Sequence, residues 1–245
     1  MSDHNSEYKT KDVSRASAWQ TYRKLYFGDV SLARAARTEA TTFLFGSLPG
    51  ALGLGLRKFA YPGLFAEAGS KTVFGRNLTL RHPQKIRLGS GVILDDGVVL
   101  DAKGDNNAGI SIGNNVYIGR NTIIYTKDGN IRIGDNVNIS SNCQIFSSGD
   151  LEIGDGTLIA AFCYILNGGS YETHKNAPPF AQQNGTSSKG PTRIGDNCWV
   201  AAHATITDGV TIGTHCVVGA GAVVLNDLPP DTLCAGLPAR KMRDL

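Results

Sequence analysis

Bulky and chemically conspicuous side chains are scarce in this chain of 245 residues. It holds two tryptophans and two methionines, and aromatic residues make up 8%. The five cysteines are an odd number and contain no CxxC pair, which speaks against a disulfide framework and leaves no zinc motif. Neither sign of charge dominates: 24 lysines and arginines face 21 carboxylates, a net charge of +3. With no run of mixed basic and aromatic residues, no nucleic acid partner is expected. Residues 1–12 are polar and lack the apolar core of a signal peptide. The uncharged run from Ala40 to Leu56 has 17 residues, at the bottom of the range for a membrane span, and its Pro49 and four glycines argue against a straight one.

What the chain has in abundance is a six-residue phrase. Eighteen hexapeptides begin with an aliphatic residue, at Leu88, Leu94, Leu100, Ile112, Ile118, Ile124, Ile133, Ile139, Ile145, Ile153, Ile159, Ile165, Ile194, Val200, Ile206, Ile212, Val218 and Val224. A fixed short period means one unit stacked on itself, each turn burying its neighbour's face. Six residues suit a short strand and a bend, with Gly, Asn and Asp supplying the bend because they tolerate positive φ. Three such strands close a triangular turn of 18 residues with the aliphatic residue inside. The slot four places on is small: Val116, Thr122, Val137, Cys143, Thr157, Cys163, Cys198 and Cys216. These four cysteines therefore read as packing residues in a reduced, cytosolic protein. The 30 glycines fit a turn-rich solenoid.

Slips of phase mark interruptions. Ile124 to Ile133 is nine residues and Ile145 to Ile153 is eight, which places bulges near Gly129 and Gly149. Ile165 to Ile194 is 29, leaving an excursion over about 166–193 that the solenoid does not need. Long loops on rigid scaffolds are where function usually sits. The expected organisation is a disordered tail at 1–12, a helical segment at 13–70, the solenoid at 71–229 and a C-terminal tail at 230–245. Helices are expected over Ser14–Phe27 and Ser31–Phe45. The segment either caps the open end of the solenoid or lies in a membrane interface through residues 31–66, with Arg15, Arg23, Lys24, Arg34 and Arg37 facing anionic lipid.

The phrases RIGDNCWVAAHATITDGVTIG and CVVGAGAVVLNDLPPDTLCAGLPARKMR, with the ending Ala235-Gly236-Leu237-Pro238-Ala239-Arg240, carry a resemblance. From about Phe74 to Arg243 the chain resembles the hexapeptide-repeat acyltransferases, and most closely their galactoside, maltose and exopolysaccharide O-acetyltransferase branch. The resemblance implies an all-β solenoid, a left-handed parallel β-helix with an N-terminal helical extension, assembled as a homotrimer. It implies acetyl transfer from acetyl-CoA to a hydroxyl of a sugar or glycan precursor, in surface polysaccharide synthesis, with no metal. The localisation it implies is cytoplasmic, at the inner face of the membrane if the N-terminal segment binds lipid.

In that family a loop histidine takes the hydroxyl proton. The excursion here reads NGGSYETHKNAPPFAQQNGTSSKGPT, and its one histidine is His174. The branch usually has Gly-Gly-x-His, where this chain has Ser170 and Tyr171, so His174 comes a few residues late. His174 is the candidate base, Glu172 its candidate orienting partner, and Tyr171 the competing base, although an unperturbed phenol near pKa 10 suits that role poorly. The family's donor groove maps onto Ala202, Ala220, Arg240, Lys241 and Arg243: small residues admit the pantetheine and basic groups suit phosphates. Leu225-Asn226 replaces the family's frequent Thr-Lys, removing one phosphate contact. Trp199 and His203 map near the acceptor or donor groove. His203 and His215 hold the fourth place of hexads 12 residues apart, hence different faces of one prism, and cannot share a metal within a subunit. The departures in the loop leave a second reading open, a catalytically silent trimeric scaffold or binding module.

Overall fold

The computed structural model describes residues 17–169 and 188–245. Short strands wind into a three-faced prism of about 8 turns, a left-handed parallel β-helix preceded by helices. Among the described residues the first face stacks seven strands, from Glu67–Ala68 to Thr211–Ile212, and the third stacks seven, from Thr79–Arg81 to Val223–Val224. The second face has nine, from Val73–Phe74 to Ala239–Asp244. Each strand of the helix pairs in parallel with its counterpart one turn on, so Ile139 lies beside Ile159 and Ile159 beside Val200.

The hexad dictates this winding place by place. None of the eighteen aliphatic positions is more than 2% exposed, and the small-residue slot is equally buried. The glycine that so often follows the aliphatic residue is a matter of clearance. A β-carbon on Gly89 would lie 2.5 Å from the carbonyl oxygen of Gly113 on the next turn, and Gly113, Gly134 and Gly154 are crowded in the same way. The fourth place turns the corner in the left-handed conformation, which explains Asn115, Asn121, Asn136 and Asn142 with φ between 54° and 60°.

The interruptions share one corner. Pro83–Lys85, residues 102–109, the turns around Gly129 and Gly149, and the excursion all leave the third face and rejoin the first. The other two corners stay tight, so length is added to the prism along one edge only.

The helices are α1 (Ala18–Tyr26), α2 (Leu32–Phe45) and α3 (Gly50–Ala60). Ser17 and Ser31 cap the first two by accepting the main-chain N–H groups of Gln20 and Arg34. The third helix was not anticipated, since its glycines and Pro49 read as breakers. It is fixed by tertiary contacts: the buried Arg57 donates to the carbonyls of Phe45 and Leu48 and to that of Phe74. Tyr61, Leu64 and Phe65 follow, buried against Phe74 and closing the first turn of the prism. The solenoid thus begins at Glu67, ahead of the expected 71. At the other end the expected tail is an antiparallel pair, Thr232–Gly236 with Ala239–Asp244, which extends the second face.

Outward residues differ by face. The first face presents Arg87, Arg132, Glu152 and Arg193 to solvent. The second presents Ile93, Tyr117, Leu158, Trp199, Val217 and Leu233, an apolar row broken by Asn138.

Candidate active site

Two places on the prism hold the residues singled out from the sequence. The first is the corner between the second and third faces. Ala202 and Ala220 stack there on successive turns, with the N–H of Gly221 donating to the carbonyl of Ala202 at 2.9 Å. Trp199 stands on the adjoining strand, half exposed. His203 turns the corner with φ 61°, and its ring lies parallel to that of Phe162 one turn earlier, centroids 5.0 Å apart and planes 3° apart.

Phe162 was not singled out, yet a signal existed. Every tight corner on this edge needs a left-handed residue, and neighbouring turns use Gly97, Asn121, Asn142 and Gly221. An aromatic residue there, φ 62°, works against a cost of about 1–2 kcal/mol, which the ring stack offsets in part.

Arg240, Lys241 and Arg243 lie on the last strand of the second face. Arg243 pairs with Leu233, which pairs with Val217, which pairs with Trp199. Trp199 and Arg243 therefore belong to one ladder, three strand spacings or about 14 Å apart. Lys241 is held by an ion pair with Asp244 at 2.5 Å.

The second place is the corner of the excursion. The outgoing chain is described to Gly169 and the returning chain from Ser188. His174, Tyr171 and Glu172 lie outside the described residues. The excursion's feet and the Ala202–Ala220 corner are not brought together: the third-face strand Thr205–Ile206 lies between them.

The remaining candidates stand apart from both places. His215 sits at the corner of the first and second faces, its Nδ1 3.3 Å from Asp231, on a different corner from His203. Among the described residues no group of three or more His, Cys, Asp or Glu could hold a metal ion. Cys143, Cys163, Cys198 and Cys216 are free and buried. Burial pushes the Cys198 thiol up to about 11, which suits packing and not nucleophilic chemistry.

Comparison with known proteins bears on the repeat and the fold. Residues 191–226 match the family described as bacterial transferase hexapeptide (six repeats), and residues 109–147 match the hexapeptide repeat of succinyl-transferase. Two stretches of the repeat region thus resemble the hexapeptide-repeat transferases. Over 140 residues the chain is 33% identical to galactoside O-acetyltransferase of Escherichia coli (strain K12), covering 55% of this chain and 57% of that one. The chain thus spans little more than half the length of that relative. A variant of AntD, an N-acyltransferase from Bacillus cereus solved with dTDP and coenzyme A, superposes with a TM-score of 0.53. It is 21% identical over 81% of this chain and 91% of that one, a likeness of fold.

Proposed function

We propose that this protein is a CoA-dependent O-acetyltransferase that moves the acetyl group of acetyl-CoA to a hydroxyl of a sugar or glycan precursor in surface polysaccharide synthesis. The observation that carries the reading is the ladder from Trp199 to Arg243 beside the stacked Ala202 and Ala220. It offers small residues and main chain for an extended pantetheine, and guanidinium groups at the far end for phosphates. The galactoside O-acetyltransferase relative supports the choice of acetyl donor and sugar acceptor. In the proposed step a base takes the acceptor's hydroxyl proton and the oxygen attacks the thioester carbon. The tetrahedral intermediate collapses, the C–S bond breaks, and coenzyme A leaves as the thiol once protonated. His174 is the proposed base, Glu172 its orienting partner and Tyr171 the competitor. The test is transfer from labelled acetyl-CoA by the purified protein to a panel of glycosides, with amino sugars alongside. Binding of acetyl-CoA without transfer to any of them would favour the silent scaffold.

The assembly proposed with this activity is a homotrimer, because the second and third faces expose Ile93, Leu158, Tyr164 and Trp199 while the first face is charged. A neighbouring subunit packed there would set the feet of one chain's excursion beside another chain's Ala202–Ala220 corner, two places that the third face separates within one prism. Sedimentation should give one species near three times 26.0 kDa. A stable monomer that retains activity would remove the shared site.

Contact with a membrane surface, on the cytoplasmic side, belongs to the same proposal. Among the described residues no helix is long and apolar enough to cross a membrane. The helices nonetheless leave Phe43 and Phe59 each 85% exposed, with Leu44 and Leu52 also outward. Residues 18–60 carry six cations against two carboxylates, and Lys24, Arg37 and Lys58 are exposed. Arg23 is turned instead to the carbonyl of Val30. The protein should float with vesicles containing anionic lipid and less with neutral ones, and a Phe43→Ser, Phe59→Ser variant should stay behind. Equal recovery of all samples in the soluble fraction would remove the contact.

A further inference from the structure

The corner from which every insertion leaves has a polar interior. One position in it is buried on successive turns, occupied by Ala102, Thr126, Ser147, Asn167 and then Asp208. Hydroxyls suffice where the insertion is a short turn. At the excursion the pair becomes an amide and a carboxylate, Asn167 fully buried and Asp208 6% exposed. The turn that supplies Asp208 has no insertion of its own, since Ile206 and Ile212 are six residues apart. Its carboxylate is therefore seated directly against the excursion's base.

Both feet of the excursion end on that carboxylate. The outgoing N–H of Gly168 donates to Oδ1 at 2.5 Å. The returning N–H of Lys189 donates to Oδ2 at 2.7 Å, and the hydroxyl of Ser188 lies 2.8 Å from Oδ1. Asn167 ties the same two feet, its Nδ2 donating to the carbonyl of Gly190 at 2.6 Å and lying 3.3 Å from Oδ1 of Asp208. Only a carboxylate can do this. Each oxygen receives a main-chain donor from a different foot, and a carboxamide would have to set its own N–H₂ against one of them.

We propose that Asp208 is a positioning residue that fixes both feet of the excursion, at Gly168 and at Ser188 and Lys189, against the coil. This rests on the acetyl-transfer reading for its catalytic consequence and on the clamp alone for its structural one. Asp208 is buried, and the proposed donor corner of Ala202 and Ala220 lies across the third face from it. Loss of the clamp should misplace the base while leaving donor binding intact, and a displacement on the scale of an ångström can cost about 10²-fold in rate.

The experiment compares the full-length protein with Asp208→Asn and with the surface control Thr214→Ala. Two measurements are made on folded protein: the rate of tryptic cleavage after Lys189, whose N–H the clamp holds, and kcat and KM for acetyl-CoA. Asp208→Asn should be cut after Lys189 at least tenfold faster with its β-sheet circular dichroism unchanged. Its kcat should fall by about 10²-fold while KM for acetyl-CoA moves less than about threefold. A cleavage rate equal to that of Thr214→Ala overturns the clamp. Faster cleavage with kcat unchanged overturns the positioning role, and so does a loss of kcat that merely tracks the unfolded fraction. If the unaltered protein transfers no acetyl group, the functional reading and the catalytic role fall together, while the cleavage rate still decides the clamp.

Discussion

An Ile159→Asp variant is expected not to fold. Ile159 is fully buried in the middle of the prism, on the second face, flanked in its ladder by Ile139 and Val200, which are equally buried. A carboxylate in that row finds no cation and no water. The effective penalty is several kcal/mol for the ion, and truncating the isoleucine packing adds about 2–5 kcal/mol. A domain's whole stability is about 5–15 kcal/mol, so one substitution removes most of it. The stacking makes matters worse, because a solenoid turn is held only by its two neighbours and a failed turn uncouples both sides. The expected result is insoluble protein, or soluble protein without the β-sheet circular dichroism of the parent. Thr214→Ala, at an exposed corner, should stay within about 0.5 kcal/mol in a denaturant titration. If the two variants unfolded at the same midpoint, the inward row would have been misplaced.

The repeat was legible because stacking leaves so little choice. An inward aliphatic residue, a glycine forced by the next turn's backbone, a left-handed corner and a small slot recur in fixed order, and three such hexads close a turn. Where one term weakens, the frame fades. The first turn uses Ala68, Phe74 and Leu80 as its inward residues, and the turn at Pro83–Lys85 then shifts the phase before Leu88. A small alanine and a two-residue slip hid that turn from the period. Helix α3 was hidden for another reason. Its glycines lower its intrinsic propensity, and the contacts that hold it run from Arg57 to carbonyls at Phe45, Leu48 and Phe74, which no local pattern announces.

Site residues divide along the same line. Ala202 and Ala220 could be aligned from the hexads, since 18 residues is one turn, and they stack as that spacing requires. Asp208 could not be valued from its own hexad, where it looks like one more bend residue. Its meaning comes from standing at the insertion corner one turn after Asn167, a relation that appears only when the turns are superposed. Phe162 was visible as the aromatic exception in a column of asparagine and glycine, but its partner His203 was the residue that drew attention.

Replacing His174 by alanine is expected to leave the fold, the assembly and acetyl-CoA binding unchanged and to lower turnover by roughly 10² to 10⁴. The argument runs from position. The proposed donor elements Trp199, Ala202, Ala220 and Arg243 all lie on the prism itself, where strand pairing from turn to turn places them. His174 belongs to the excursion, so its loss should touch the proton transfer and not the groove. A histidine base titrates with an unperturbed pKa of about 6.5. Activity of the parent should therefore rise with pH through about 6 to 7, as the imidazole loses its proton and becomes able to accept one, and level off above. Tyr171→Phe, assayed beside it, should retain most of the rate, because a phenol near pKa 10 is protonated throughout that range. The opposite pattern, with full activity in His174→Ala and none in Tyr171→Phe, would move the base to Tyr171. A profile that keeps climbing past pH 9 would support the same reassignment without any variant.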